Sequence, residues 1–404
     1  MPDKLSTDSS SIQVWAHEMS SSRGGLQSYT KALVHALDDL LGRPVIVHLL
    51  RERSDQPGYP HRESVRTYGA FPRWLRRPAF CIGTAAASFV AKPKLLLSAH
   101  PNLSRIGIPI ARCSGARFWT AAHGIDVWED CPASVRRALR RCDRVLAVSH
   151  FTRKALISLH GLSPARISVL PNSYDDTFYS LGDVEVSLRE KYGIPRDARL
   201  LLSVGRLAEP ERMKGFDSVI RAMPAILEKV PSAVYILAGR GPDRERLADL
   251  ARQCGVADRV RFPGLIADND LPPLYRLCDL FVMPSRKEGF GIVFLEALGC
   301  GRPVLAGNVD ASGEPLLNGE LGVLVNPDSL PEIASACIQI LNKTHPNKNL
   351  YDADYLSRRA REEFGQARFK ERLKDLLLAH LPSILCLRPS GAGALSYANP
   401  QCPH

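Results

Sequence analysis

Glu288 and Glu296 stand at the two ends of the segment Glu-Gly-Phe-Gly-Ile-Val-Phe-Leu-Glu. Carboxylates accept hydrogen bonds from hydroxyl groups, and the intervening Gly289 and Gly291 let backbone N–H groups turn toward a ligand. A helix starting near Gly291 would offer unpaired amides and the positive end of its dipole, which suits an anion. Glu288 then lies on the loop beside that anion site, able to hold sugar hydroxyls. Glu296 lies along the helix, where a ribose could present its diol. An acid/base pair for glycoside hydrolysis is the weaker reading. Such carboxylates stand about 5–9.5 Å apart, whereas eight residues of helix rise about 12 Å.

A second group of residues lies in Leu201–Gly215, LLSVGRLAEPERMKG. Arg206 ends a strand there, and Lys214 precedes a helix. A planar guanidinium and a compact ammonium suit the oxygens of a diphosphate leaving group, in place of a metal ion. His123, in His-Gly-Ile-Asp after the strand Phe118–Ala121, is a third candidate. Two weaker patterns are set aside. Gly239-x-Gly241 follows a strand, but Arg244 occupies the third glycine position of a dinucleotide fingerprint. Asp268-Asn-Asp270 has the spacing of a metal-holding pair, yet it precedes Leu-Pro-Pro and an apolar helix, so helix capping is expected and no metal.

These residues need a scaffold, and the chain supplies two in series. Ile12–His17, Val45–Leu50, Leu95–Ser98, Phe118–Ala121 and Val145–Val148 read as strands, with a helix from about Leu26 to Leu41 after the first. After a polar segment at 173–198 the pattern restarts with Leu200–Val204, Val234–Ala238, Val260–Phe262, Leu280–Met283, Pro303–Ala306 and Val323–Val325. Helices are expected at Phe216–Val230 and Arg244–Cys254, and a final helical stretch at Tyr355–His380. Alternation of this kind implies an α/β protein of two doubly wound parallel sheets facing a cleft. The expected division is 1–180, 181–380 and a flexible tail at 381–404, with the last helix able to return to the first domain. The run Ala79–Ala91 is too short to span a bilayer, which needs about 20 residues, and reads as a buried helix.

Composition narrows the partners. The 404 residues are 45 % hydrophobic and 24 % charged, as in a globular protein. The polar first eleven residues point to no secretory leader. Ten cysteines without a CxxC pair suggest neither a zinc site nor a disulfide framework, and fit a reduced cytoplasmic setting. Residues 1–185 hold 24 Lys and Arg against 16 Asp and Glu, so the first half is the basic one. Arg136, Arg137, Arg140, Arg141 and Arg144 are spaced to share a helix face, and Phe71-Pro-Arg73-Trp74-Leu-Arg76-Arg77 mixes arginine with large apolar groups. That mixture suits an anionic membrane surface. No nucleic-acid reader module is apparent.

The motifs together resemble the retaining family 4 glycosyltransferases of the GT-B fold. GRL…KGFDSVI, AGRGPDRERL, DLFVMPSRKEGFGIVFLEALGCGRPVLA and GVLVNPD follow in that family's order over residues 198–330. The first half matches more thinly, through RGG at 23–25, HGID at 123–126, VSHFTRKAL at 148–156 and LPNSYD at 170–175. The resemblance implies that Arg206 and Lys214 bind the donor diphosphate, with Glu288 on donor-sugar hydroxyls and Glu296 on the ribose. It places the amides around Phe290, Gly291 and Ile292 against phosphate and sugar. Gly24 and Gly25 would approach the phosphates from the opposite domain, and His123 the reacting face of the sugar. Gly239 and Gly241 would border the nucleoside, with Leu265 and Ile266 near the base. Ser173 stands where the family often has glycine, and the loop Ala208–Met213 is longer than its commonest form.

The function so implied is metal-independent transfer from a UDP- or GDP-sugar to a glycan or lipid-linked acceptor, in polysaccharide or lipopolysaccharide synthesis at a cytoplasmic membrane face. No cofactor is expected. Rival readings are a nucleotide-sugar epimerase or sugar phosphorylase on the same fold, and a non-catalytic membrane- or glycan-binding protein.

Overall fold

Runs such as Leu-Leu-Leu-Ser and Ala-Val-Tyr-Ile-Leu-Ala are apolar on both faces, the pattern of parallel strands covered by helices above and below. The computed structural model describes residues 12–20, 24–53, 61–129 and 131–385. Its first sheet contains β1 (Ile12–Ala16), β2 (Ile46–Leu49), β3 (Val65–Thr67), β4 (Leu95–Ser98), β5 (Arg117–Ala122), β6 (Arg144–Ala147) and β7 (Ile167–Val169). They are parallel, in the order β3-β2-β1-β4-β5-β6-β7. Between them run α1 (Gly25–Leu41), α2 (Arg73–Ala91), α3 (Ser104–Ser114), α4 (Ala133–Leu139) and α5 (His150–His160). The short α6 (Ser187–Lys191) leads to the second sheet.

That sheet comprises β8 (Arg199–Val204), β9 (Ala233–Ala238), β10 (Val260–Arg261), β11 (Leu280–Met283), β12 (Val304–Gly307) and β13 (Gly322–Val325). Its order is β10-β9-β8-β11-β12-β13, again parallel. Its helices are α7 (Phe216–Lys229), α8 (Arg244–Gln253), α9 (Leu271–Leu277), α10 (Ile292–Gly299) and α11 (Leu330–Leu341). The chain closes with α12 (Ala353–Phe364) and α13 (Gln366–His380).

In each sheet the strand order reverses once, between β1 and β4 and between β8 and β11. The crevice beyond the carboxyl ends at such a reversal is where doubly wound sheets take ligands. Local sequence explains the helices that frame it. In α1, Tyr29, Leu33, Val34 and Leu37 recur on the buried face, and Gly42 ends the helix in the left-handed region at φ 64°. In α11, the Ser329 hydroxyl accepts the N–H of Glu332, closing the first turn.

Several expectations need correction. The two edge strands β3 and β7 are three residues each, too short to show as apolar runs. The final helical stretch is two helices, not one: Gly365 lies between them in an extended conformation (φ −64°, ψ 165°), and Gln366 N–H reaches Asp176. Ala79–Ala91 is not a buried helix; α2 buries Phe80, Thr84 and Ser88 and turns Ile82, Phe89 and Val90 to solvent. The arginines 136–144 share no helix face, because α4 stops at Leu139 and Arg144 begins β6. Arg140 Nε donates to His160 O (2.8 Å), and Arg144 Nη1 to Ser168 Oγ (2.7 Å). The expected tail starts too early, since Pro382–Ile384 form a turn with Ile384 fully buried; 386–404 lie outside the described residues.

Helix α13 packs on α1 of the first sheet's layer: the Tyr29 and Phe369 rings meet at 6.0 Å, and Lys370 Nζ stands 2.9 Å from Asp39. The chain thus crosses between the two sheets twice.

Candidate functional site

β8 carries the chain straight to Arg206, and Gly205 N–H donates to Ala238 O (3.0 Å), so the strand pairing holds to its end. The following loop closes on one acid. Arg206 Nη2 donates to Glu211 Oε1 at 2.6 Å, and Lys214 Nζ lies 3.2 Å from Glu211 Oε2. Burial pushes Glu211 upward, but Lys214 and Arg206 outweigh it and hold its carboxyl below the usual range. The two predicted diphosphate ligands are therefore together, with a carboxylate between them. A second network braces the loop from below. Arg212 Nη2 (2.8 Å) and Arg246 Nη2 (2.6 Å) both reach buried Asp243, and Arg246 also holds Asp217. These hydrogen bonds, that of Arg246 foremost, keep Asp243 well below the ordinary carboxylate range.

The Glu288 loop leaves β11 on the other side of the reversal. Asp310 fixes its backbone, accepting Glu288 N–H (2.6 Å) and Ser285 Oγ (2.8 Å) with one carboxylate oxygen and Ser312 N–H (2.9 Å) with the other. Ala311 N–H returns to Glu288 O at 3.2 Å. Burial raises the Glu288 carboxyl, opposed by the charge of Lys214 and helped by that of Asp310. Gly291 caps α10 in the left-handed region at φ 92°, where a side chain would be strained and would meet the Phe294 ring. Phe290 turns its ring away, against Phe364 of α12 at 5.6 Å, and Ile292 is buried. Farther along α10, Glu296 Oε2 accepts from the buried Tyr275 hydroxyl at 2.8 Å.

The first sheet supplies the opposite lip. A Cβ added at Gly289 would stand 1.8 Å from His123 O, so these two loops touch backbone to backbone. His123 follows β5; its N–H donates to Asp126 (3.0 Å) and its Nε2 lies 2.7 Å from Ala99 O. The Tyr29 ring meets it edge-on at 4.8 Å. Gly24 caps α1, accepting the N–H groups of Gln27 and Ser28 at 3.1 Å, and a Cβ on Gly25 would lie 3.6 Å from Ile292 Cδ1. Glu314, beyond β12, accepts His150 and Phe151 N–H at the start of α5 (2.8 Å each), tying the two halves by a charge on a helix N-terminus.

The candidate nucleoside side is assembled next to β8. Gly239 N–H donates to Gly264 O (2.8 Å), which brings Leu265 and Ile266 beside it; Leu265 is exposed and Ile266 buried. Leu207 N–H donates to Arg240 O (3.1 Å), and Asp243 N–H to Leu207 O (2.9 Å), setting Gly241 against the Arg206 loop.

One expectation fails here. Asp270 makes no side-chain cap on α9; its carboxylate takes Lys191 Nζ at 2.6 Å and Tyr192 Oη at 2.7 Å. The N–H groups that a cap would accept are missing, because the second and third residues of α9 are Pro272 and Pro273. Glu211, Asp310 and Asp243 were not singled out from sequence. An acid between two cations on a short loop marks Glu211, whereas Asp310 lies 22 residues beyond Glu288, with no spacing to announce it.

Comparison with known proteins agrees with this geometry. Residues 185–360 match the family model for glycosyl transferases group 1, and residues 23–178 that for glycosyltransferase family 4. The chain is 32 % identical over 335 residues to a GDP-mannose-dependent alpha-(1-6)-phosphatidylinositol monomannoside mannosyltransferase of Mycolicibacterium smegmatis, covering 79 % of this chain and 86 % of that one. Among solved structures, sucrose-phosphate synthase from Thermosynechococcus elongatus superposes with a TM-score of 0.75 at 21 % identity, covering 92 % of this chain and 99 % of its own. Anabaena Alr3699/HepE in complex with UDP gives 0.74 at 20 % identity, covering 91 % and 99 %. The architecture is GT-B.

Proposed function

From the premise that the chain belongs to glycosyltransferase family 4 and is a glycosyltransferase, we propose that it transfers a sugar from a nucleoside diphosphate donor to a polyol or glycan on a lipid, retaining the anomeric configuration and needing no bound metal. The observation that carries this reading is the meeting of Arg206, Lys214 and the α10 N-terminus on one lip with His123 on the other. Arg206 and Lys214 exchange Glu211 for the donor diphosphate and stabilise the charge that builds as it departs. The α10 amides cradle phosphate, Glu288 holds donor hydroxyls, and Glu296 takes the ribose. With the departing diphosphate still bound, the acceptor hydroxyl attacks the oxocarbenium-like carbon on the face just vacated and passes its proton to the diphosphate oxygen that left. Gly24 and Gly25 close the phosphate side, and Leu265 and Ile266 border the base.

A GDP-sugar is the leading donor, because the 32 % identical mycobacterial relative is GDP-mannose-dependent. Thermal unfolding with GDP, UDP and ADP tests it. A nucleotide at a hundred times its dissociation constant adds about 2.7 kcal/mol, and GDP is expected to give the largest shift, with transfer from GDP-mannose unchanged by EDTA. No shift with any nucleotide, or transfer that requires added manganese, overturns the corresponding part of the reading.

The membrane part of the proposal rests on α2. Trp74, Ile82 and Phe89 are 75 %, 70 % and 52 % exposed and lie on one side of α2 with Pro78, beside Arg73 and Arg77. Among the described residues no helix is long and apolar enough to cross a membrane. An apolar stripe flanked by arginine instead suits insertion into an anionic surface. In flotation with phosphatidylglycerol vesicles, the Trp74→Ser/Ile82→Ser variant is expected to bind at least about tenfold more weakly, each large side chain contributing on the order of 1.5–3 kcal/mol when buried. Equal binding of variant and wild type removes this role for α2.

A further inference from the structure

Three histidines stand at the carboxyl ends of three neighbouring strands. His17 follows β1, His100 follows β4 and His123 follows β5. The first two flank the β1/β4 reversal, the crevice where this sheet would take a ligand. The His17 and His100 ring centroids are 4.9 Å apart, and those of His100 and His123 6.2 Å. None is fully buried, so the group faces the gap. His123 is also the backbone contact for Gly289, so the cluster lies directly across from the Glu288 loop.

The hydrogen bonds assign the rings. His100 Nδ1 accepts Asn102 N–H (3.2 Å), which leaves its proton on Nε2 as a donor. His123 Nε2 faces Ala99 O (2.7 Å) and must carry the proton, which leaves Nδ1 with a lone pair. His17 Nδ1 is buried and, among the described residues, has no hydrogen-bond partner. The loop that carries His17 is held rigid, because buried Glu52 accepts Met19 and Ser20 N–H groups. In the neutral tautomers these bonds select, His100 presents a donor at Nε2 and His123 an acceptor at Nδ1 within one small cluster. A hydroxyl both donates and accepts, so vicinal hydroxyls are the ligand chemistry such an array fits, whereas a carboxylate or phosphate would use only the donors.

Electrostatics agrees. Burial, then the Arg51 charge, lowers His17 to about 4 against the opposing Glu18, with Arg77 of α2 adding to the lowering. Burial, then His17, His123 and Arg51, lowers His100 to about 2. Both rings are uncharged at neutral pH, as a neutral polyol site requires.

We propose that His17 and His100, with His123 as the shared wall toward the donor, form the acceptor subsite, and that they bind a vicinal polyol such as a hexose or cyclitol ring. This deepens the glycosyltransfer reading and rests on it. The test follows the imidazole resonances of the ¹⁵N-histidine-labelled full chain during titration with myo-inositol and with methyl α-mannoside, and separately with GDP. The expected result is that the His17 and His100 signals move with at least one polyol. If they stay fixed with both polyols, or move only with GDP, the subsite is wrong. GDP-induced stabilisation in the same samples reports on the donor site, so failure of the glycosyltransfer reading would register there instead. The variants His17→Asn and His100→Asn serve as controls. Asparagine at 100 keeps an acceptor for Asn102 N–H, so the turn is preserved while the reach of Nε2 is lost. Each is expected to weaken polyol binding by about tenfold, the worth of one hydrogen bond, and to leave GDP stabilisation unchanged. Polyol affinity equal to wild type in both variants would also overturn the assignment.

Discussion

Replacing Lys214 with alanine is expected to lower kcat/KM by roughly a thousandfold while leaving the fold intact. The size follows from what an oriented charge does for a leaving group, since losing one such donor typically costs about 10²–10³ in rate. Lys214 faces two carboxylates, Glu211 by direct contact and Glu288 through its charge, so its removal unbalances the site beyond one lost bond. The fold survives because Glu211 keeps Arg206 and the loop keeps its Arg212–Asp243 brace. A partly exposed pair contributes about 0–1 kcal/mol, so the midpoint of thermal unfolding should move by no more than about 4 °C. The measurement is steady-state transfer beside a melting curve. Turnover near that of wild type would remove Lys214 from diphosphate chemistry.

The second large effect is expected from Gly289→Ala. The added methyl would fall 1.8 Å from the His123 carbonyl oxygen, a backbone atom that no rotamer change can move. Either loop must retreat, and the two lips of the cleft separate. A displacement of about 1 Å at a reacting centre can cost about a hundredfold, and turnover should fall at least that far. Stabilisation by the nucleoside diphosphate should persist, because Arg206, Lys214 and the α10 amides all belong to the second sheet's half. Loss of both together would mean that the substitution unfolds the Glu288 loop instead of parting the lips.

The second half was the more legible in sequence, for a physical reason. Its four inner strands, β8, β9, β11 and β12, are covered on both faces and read as apolar runs, and its chemistry is local: Glu288, Gly289 and Gly291 share one loop. The first half hid β3 and β7, where three residues at a sheet edge carry too little apolar signal. It also hid His17 and His100, which stand 83 residues apart in a sequence and meet only because β1 and β4 are neighbours. His123 was visible because the motif around it is contiguous. The face of α2 was misread for a related reason. Ala79–Ala91 is apolar all round, and composition cannot say which side meets the core. Asp270 was misassigned because its partners, Lys191 and Tyr192, come from 79 and 78 residues earlier.

The return of α13 to the first sheet's layer bears on how the protein is made. The pairing of Lys370 with Asp39 spans 331 residues, and Phe369 covers the same Tyr29 that backs His123. A chain emerging from the ribosome from its N-terminus exposes α1 early, yet the surface that covers it arrives only when almost everything else has been synthesised. The apolar side of α1 stays open meanwhile, and contacts of such long sequence separation form late and slowly. Each sheet is contiguous in the chain, β1 to β7 and β8 to β13, so it is this returning cover that must wait for the end of synthesis. Nascent protein stalled before residue 366 should therefore be the species that chaperones hold and proteases cut within its first half.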